Sequence, residues 1–347
     1  MSAQATDAVT RHHPLDYLRG VLALSVMGYH YNLFQNRHYV LLDKLGIWAV
    51  LTFYVISGIS FGFVYRGLEL RARSVLAFFV KRYARLLPVY VVALLGVLGI
   101  PIGSYLLGNP VDLPDHLLTN FTLTFGFIDA SRYVVTGGWS IGNELVYYVT
   151  LPLLIAALRF DRRLFLAAAG LAVSLAVWWA FGRLDPDRAL ADQWNVYISP
   201  FSHWYLFALG VGVSATRIRV PGWVPLLVAL VFVALPLGIG QIQIVTRWTW
   251  VAYTLTCTLL AASVYWWTPD PQPLHGLLSF LGRSSYSIYL LHPVVYSWMG
   301  HFVTGAVGVG LAVVCTFVAA WLSWHYVEEP TILLGKRLAG RIERASA

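Results

Sequence analysis

Charged residues are scarce in this chain of 347 residues. Aspartate, glutamate, lysine and arginine together make up 12% of it, about half of the share that soluble globular proteins carry. Hydrophobic residues make up 58%, and the mean hydropathy is +0.66. With so few charges among so many apolar side chains, the composition excludes a soluble domain and predicts a membrane protein.

Sulfur ligands are almost absent as well. The two cysteines, Cys257 and Cys315, both lie in apolar stretches, which favours packed thiols over a disulfide or a metal role. No group of histidines and cysteines has the spacing of metal ligands. The sequence therefore predicts that the protein binds no metal ion.

Long apolar runs, in contrast, are abundant. Each is about twenty residues long, the length that a hydrocarbon core of about 30 Å requires. The 14 tryptophans and 20 tyrosines fit a protein with two membrane–water interfaces, where these side chains concentrate. The predicted fold is all-α, a polytopic membrane helix bundle of about ten transmembrane helices. The predicted spans are 15–35, 46–66, 86–107, 139–158, 164–182, 198–216, 222–240, 247–267, 277–299 and 302–325.

Most of the basic residues lie on one side of these spans. If the N-terminus is cytoplasmic, the cytoplasmic segments hold sixteen of the 24 lysines and arginines, and the opposite segments hold six, mixed with seven aspartates. This asymmetry follows the positive-inside rule and predicts a multi-pass protein of the inner (cytoplasmic) membrane with both termini in the cytoplasm. The net charge of +8 is then a consequence of topology, and nucleic acid is not an expected partner.

The chain is predicted to form a single membrane domain, because it has no internal repeat and no low-complexity tract. We assign 1–14 to a cytoplasmic N-terminal segment, 15–330 to the transmembrane domain and 331–347 to a basic cytoplasmic tail. The longest extracytoplasmic loop, 108–138, contains an apolar stretch, 117–128. That stretch is either an interfacial helix or a re-entrant segment, and its periodicity leaves both open.

Arginines form an inner tier of ionisable residues near the cytoplasm. Arg19 and Arg283 lie within predicted spans, and Arg82 and Arg85 lie at the entry to the third. Arginine pairs well with phosphate oxygens, so this tier predicts a phosphorylated cytosolic ligand. The alternative is that Arg82 and Arg85 only set the topology and that Arg283 only packs.

An outer tier holds His30, Glu144, His292 and His203. Histidine takes up a proton near neutral pH, and a carboxylate can orient the ring and stabilise its charged form. A buried carboxylate without a partner is costly, so we expect His30 or an arginine near Glu144; in the catalytic hypothesis Glu144 orients His30. The alternatives are a helix–helix clamp without chemistry and, for His292, a kink at the following proline.

Helical spacing connects these residues. Arg19 and His30 are eleven residues apart, which puts them on one face of the first span, about 16 Å apart along its axis. Ser140, Glu144 and Tyr148 follow each other at steps of four and form one polar stripe on the fourth span.

Six motifs, in this order, resemble the type 3 acyltransferase family of membrane proteins and reach from residue 15 to 330. Tyr17 departs from the pattern, because a small residue is frequent at its position. The motifs are Leu15-Asp-Tyr-Leu-Arg19-Gly with His30, Phe53-Tyr-Val-Ile-Ser57-Gly58, Arg82-Tyr-Ala-Arg85-Leu-Leu-Pro88, Trp139-Ser140-Ile-Gly-Asn-Glu144-Leu-Val-Tyr-Tyr148, Leu281-Gly-Arg-Ser-Ser-Tyr286-Ser287-Ile-Tyr-Leu-Leu-His292-Pro293 and Tyr326-Val-Glu328-Glu-Pro330.

The resemblance implies a bundle that transfers an acyl group, usually acetyl, from a coenzyme A thioester to a hydroxyl. The acceptor in the family is commonly a cell-envelope or exported saccharide, such as an exopolysaccharide, an O-antigen or a lipid-linked sugar. By position, it implies that His30 is the catalytic histidine with Arg19 as its companion. It also implies that Arg82 and Arg85 meet the donor and that Glu144 is the acidic residue of the Trp-Ser motif.

Several alternatives stay open at this point. Transfer is either direct, with His30 as general base, or through an acyl-histidine intermediate. The loop from Asp112 to Tyr133, rich in aromatic and acidic residues, suits either a sugar or an interfacial anchor. Two alternative functions are acylation of a small molecule such as an antibiotic sugar, and transport by a transporter or flippase. The acyl chain length and the oligomeric state are also open. The candidate site residues are His30, Glu144 and Arg19 for catalysis, Arg82, Arg85, Arg283 and Arg19 for acetyl-coenzyme A, and Trp139, Ser140, Tyr148 and His292 for the substrate.

Overall fold

All regular structure in the described residues is helical, which confirms the all-α prediction. The computed structural model describes residues 13–37, 39–106, 114–216, 218–235, 240–268 and 274–344. Most of the predicted N-terminal segment, Asp112 and the last three residues of the predicted tail lie outside them. The helices are α1 His13–Leu33, α2 Val40–Val64, α3 Ala72–Leu106, α4 Leu117–Phe121, α5 Phe125–Ile128, α6 Gly138–Phe160, α7 Arg162–Trp178, α8 Trp194–Tyr197, α9 Pro200–Ser214, α10 Trp223–Ala234, α11 Gln241–Ile244, α12 Arg247–Trp266, α13 His275–Arg283, α14 Ser285–Gly300, α15 Gly305–Ser323 and α16 Glu329–Arg344.

Five helical segments in the described part of the chain are long and apolar enough to cross a membrane. The predicted count of ten is not confirmed. The predicted sixth span is a helix of only 15 residues, and the predicted ninth span is two helices, α13 and α14, that meet at Ser284. The count of ten and the cytoplasmic position of the termini therefore stay predictions. The five segments are Val40–Val64, Ala72–Leu106, Gly138–Phe160, Arg162–Arg183 and Gly305–Arg344.

Helix α3 begins 14 residues before the predicted third span. Its 35 residues amount to about 52 Å at the usual rise, well beyond the ~30 Å of a hydrocarbon core. The hydropathy falls at Lys81, Arg82 and Arg85, but these residues and their neighbours are good helix formers, so the helix runs through them. We call the end of the bundle that carries this extension the basic end.

The residues predicted as a basic tail form a helix against this extension. A π-helical turn, Trp324–Glu328, links α15 to α16, and α16 packs along α3. Gly335 makes the approach close, because a Cβ there would lie 2.5 Å from the Cβ of Ala84. The C-terminal part of the chain is thus a structural element of the bundle.

Helices α2 and α9 pack with their backbones in direct contact. Gly58 lies against the carbonyl oxygen of Phe207, and Gly210 lies against that of Val55. Small residues at a helix crossing permit this approach, which is a common way for membrane helices to pack. The crossing fixes the part of α2 that carries Ser57 and Ser60.

The loop before α6 is folded onto the bundle. Its apolar stretch forms the two short helices α4 and α5 instead of one interfacial helix. Asn120 holds it in place: the hydroxyl of Tyr90 donates to Asn120 Oδ1 at 2.6 Å, and the Asn120 amide donates to the carbonyl of Arg132 at 2.8 Å. Hydrogen bonds from Ser131 lower the pKa of Asp129, so this carboxylate is engaged within its own turn.

We predict that Gly58→Ala lowers the melting temperature of the solubilised protein. The added methyl group meets a backbone carbonyl that cannot move independently, and overpacking of this kind costs about 1–3 kcal/mol. Gly170→Ala is the matched control, because Gly170 also lies within a helix but has no atom within 4 Å of an added Cβ. Thermal unfolding followed by tryptophan fluorescence checks this; equal stability of the two variants would contradict the packing account.

Candidate functional site

A cavity of about 1150 Å³ extends from the basic end into the bundle. Its walls come from α1, α2, α3, α6, α13, α14 and α16. Seven of the sequence-predicted site residues line it: Arg19, Arg82, Arg85, Arg283, Ser140, Glu144 and Tyr148. The cavity thus brings together both arginine motifs and the polar stripe of α6.

Arg19 is held in place by two side chains. Its guanidinium donates to Asp16 Oδ1 at 2.9 Å, one turn earlier on α1, and to Ser60 Oγ on α2 at 2.7 Å. The side chain keeps 22% exposure. Asp16 offsets its charge locally, so Arg19 presents a fixed and partly neutralised cation to the cavity.

Arg85 pairs with a carboxylate that the sequence analysis did not assign to the site. Arg85 Nη2 lies 3.8 Å from Glu328 Oε1, and Ser287 Oγ donates to Glu328 Oε2 at 2.8 Å. Glu328 is fully buried. The sequence signal that could have identified Glu328 is its place in the last of the six motifs, directly after the apolar helix α15.

Arg82 and Arg283 face the cavity without a carboxylate partner among the described residues. The Arg82 guanidinium lies over the rings of Phe61 and Tyr65, 5.1 and 5.4 Å from their centroids. Its Nε is buried and has no hydrogen-bond partner in the described structure. Arg283 is exposed and donates from Nε to the carbonyl of Ser279 at 3.3 Å. Both cations are available to an anionic ligand.

Glu144 lies with the arginines and does not orient His30. It accepts a hydrogen bond from Ser57 Oγ at 2.8 Å and lines the cavity beside Arg19. Tyr148 follows one turn later, buried on the same wall. Of the two neighbours predicted for Glu144, His30 and an arginine, the structure brings an arginine to it, because the cavity extends from the basic end to this part of α6.

The partner of His30 is His292. His30 Nδ1 lies 2.8 Å from His292 Nε2, and the rings stack with their centroids 5.0 Å apart. His292 Nδ1 lies 2.9 Å from the carbonyl oxygen of Ile288, which only accepts, so this nitrogen carries the proton. In the neutral pair, His292 Nε2 then accepts from His30 Nδ1, and His30 Nε2 keeps its lone pair. His292 is fully buried, whereas His30 is partly exposed.

Tyr289 lies between the cavity and the histidine pair. It lines the cavity, and its ring lies edge-on to that of His292, with 6.4 Å between the centroids. Its hydroxyl is 2.8 Å from Ser140 Oγ and donates to the carbonyl of Gly137 at 3.1 Å. Neither His30 nor His292 lines the cavity. The sequence analysis missed Tyr289, although it lies three residues before His292 and so on nearly the same helical face.

Trp139 and His203 lie away from the cavity. Trp139 packs against Trp194, Tyr197 and His203 and does not line it. His203 also stacks on Tyr54, as expected for a core histidine. The described residues contain no group of three or more histidine, cysteine or acidic side chains placed to hold a metal ion.

Comparison with known proteins agrees with this arrangement. A family model described as an acyltransferase domain matches residues 12–325. The acyltransferase MdmB of Streptomyces mycarofaciens is 26% identical over 335 residues, which cover 85% of this chain and 84% of that protein. Protein 2 in the picA locus of Rhizobium radiobacter is 31% identical over 149 residues, 38% of this chain and 76% of that protein. No solved structure matches the chain significantly.

The family match spans nearly the whole chain, including α1 with Arg19 and His30 and α14 with His292. This protein is therefore a membrane protein of the type 3 acyltransferase family and an enzyme that transfers acyl groups.

Proposed function

We propose that the protein is a membrane O-acyltransferase. It transfers a short acyl group, in our proposal acetyl, from acyl-coenzyme A to a hydroxyl of a cell-envelope or exported saccharide. The basic end faces the cytoplasm, where the donor is made. The observation that carries the proposal is the cavity itself. Arginines line it, and so does Tyr289, whose ring contacts the hydrogen-bonded pair of His30 and His292.

The donor enters at the basic end. Arg82 and Arg283, which have no carboxylate partner in the described part of the chain, attract its phosphates. The acyl-bearing arm then lies along the wall formed by Arg19 and Glu144. For the thioester to reach His30, Tyr289 has to leave its hydrogen bonds to Ser140 and Gly137.

His30 is the general base. Its Nε2 takes the proton of the acceptor hydroxyl while the hydroxyl oxygen bonds to the thioester carbonyl carbon. The carbon–sulfur bond then breaks, and the thiolate leaves with that proton, giving an ester and free coenzyme A. His292 acts as a positioning residue, because its Nε2 accepts from His30 Nδ1 and so keeps Nε2 of His30 unprotonated.

The acceptor reaches His30 from the side opposite to the donor. His30 is partly exposed but lies off the donor cavity, which supports separate access routes for the two substrates. An exported saccharide fits this arrangement, since it meets the enzyme on the far side of the membrane.

The test uses the full-length protein in lipid nanodiscs with radiolabelled acetyl-coenzyme A. Acceptors are a polysaccharide, a lipid-linked sugar and a free glycoside. We expect release of the coenzyme A thiol that depends on one of the saccharides, with label appearing in its ester. A protein that neither binds acetyl-coenzyme A nor releases thiol with any of them would overturn the proposal and favour a transporter, which substrate uptake into proteoliposomes would then detect.

The first prediction from this proposal concerns His30→Ala. Loss of the base lowers the rate of acyl transfer by about 10²–10⁴-fold, while acetyl-coenzyme A still binds, because His30 does not line the cavity. Rate and equilibrium binding are measured on the same preparation. His301→Ala is the control, since His301 is exposed at the end of α14, its ring is hydrogen-bonded to the carbonyl of Ser297, and it does not line the cavity. A wild-type rate in His30→Ala would rule out the catalytic assignment.

A second prediction separates a positioning role of His292 from a structural one. His292→Leu leaves the Nδ1–H of His30 without an acceptor, which lowers the rate about tenfold or more. His292→Gln retains an acceptor oxygen and restores most of the rate. Melting temperatures of both variants are measured alongside; if activity follows stability and glutamine gives no rescue, His292 only packs.

A further inference from the structure

One face of α16 forms a wall of the donor cavity. Glu329, Ile332, Lys336, Gly340 and Glu343 all line it, and their spacing of three or four residues places them on one side of the helix. This helix lies beyond residue 325, where the family match ends. It is therefore a part of the cavity that the family assignment does not cover.

The cations of the cavity divide into two groups. Arg19, Lys81 and Arg85 form ion pairs with Asp16, Glu343 and Glu328 respectively. Arg82, Arg283 and Lys336 form none within the described residues. Lys336 is thus a third cation that has no carboxylate partner there, and it comes from a different element than the other two.

Lys336 is held close to the arginine motif of α3. Its neighbour Gly335 packs directly on α3. A Cβ added at Gly335 would lie 2.5 Å from the Cβ of Ala84 and 3.7 Å from the Cα of Lys81. About two turns earlier along the chain, the Arg85–Glu328 pair joins α3 to the turn that precedes α16. At the far end, Lys81 Nζ lies 3.3 Å from Glu343 Oε1. The helix is fixed to α3 along its length.

We propose that α16 completes the donor site. Lys336 binds a phosphate of the nucleotide end of the donor, together with Arg82. Glu343 forms an ion pair with Lys81, and a phosphate of the incoming donor competes with this carboxylate for the ammonium group. The inference rests on the proposed use of a coenzyme A thioester.

The competing explanation is that α16 only lies on the membrane surface. Leu334 and Leu338 are exposed and do not line the cavity, which suits that role, and an exposed lysine beside them is then an interfacial anchor. The two explanations differ in which cations matter. Arg337 is exposed on the same helix and does not line the cavity, so it shares the membrane role but not the donor role.

The experiment measures equilibrium binding of acetyl-coenzyme A and of acetyl-pantetheine, which lacks the nucleotide and its phosphates, to nanodisc-embedded protein. Lys336→Ala is expected to weaken acetyl-coenzyme A binding about five- to tenfold, as for loss of a charge-assisted hydrogen bond. Acetyl-pantetheine binding stays unchanged, and Arg337→Ala changes neither. Glu343→Gln frees Lys81 and strengthens acetyl-coenzyme A binding about two- to fivefold.

The outcomes separate this inference from the proposed function. If wild-type protein binds acetyl-coenzyme A but Lys336→Ala and Arg337→Ala behave alike, α16 is a membrane anchor and the inference is wrong. A loss of acetyl-pantetheine binding in Lys336→Ala would also overturn it, because the variant would then have damaged the cavity. If the wild-type protein binds neither thioester, the proposed function itself fails.

Discussion

The burial of one carboxylate organises the basic end of the molecule. A fully buried glutamate is strongly unfavourable unless it is paired and hydrogen-bonded, and Glu328 satisfies this with Arg85 from α3 and Ser287 from α14. The Glu328 carboxylate therefore joins three elements: α3, α14 and the π-helical turn before α16. Since Glu328 ends the turn that precedes α16, the same pairing sets where α16 begins and hence where the wall of the cavity lies.

Local pairing also decides how much positive charge the cavity offers. Three of its cations are neutralised by carboxylates a few ångströms away. A count of arginines along the sequence overstates the charge, because it cannot tell a paired guanidinium from one that is available. The available cations, Arg82, Arg283 and Lys336, come from α3, α13 and α16, so an anion can bind to them only when the bundle is assembled.

Helical spacing predicted one stripe of the site correctly and could not predict its partners. Ser140, Glu144 and Tyr148 share a wall of the cavity, as their steps of four require. Arg19 and His30 are eleven residues apart and so share one face of α1, yet only Arg19 lines the cavity. Periodicity fixes directions within one helix, whereas the His30–His292 contact joins residues 262 positions apart. That contact depends on which helices pack together, which one sequence does not reveal.

In the proposed reaction, the ring of Tyr289 separates the cavity from the histidine pair until the thioester moves toward His30. A closed wall keeps water on the histidine side from hydrolysing a bound thioester, but a permanent wall would also prevent the reaction. The ring is held by hydrogen bonds to Ser140 and Gly137, each worth about 0.5–1.5 kcal/mol net. Breaking both costs about 1–3 kcal/mol, so about 0.6 to 15 percent of molecules are open at any moment. This cost is small beside the barrier of an acyl transfer, so opening of Tyr289 would not limit the rate of the proposed reaction.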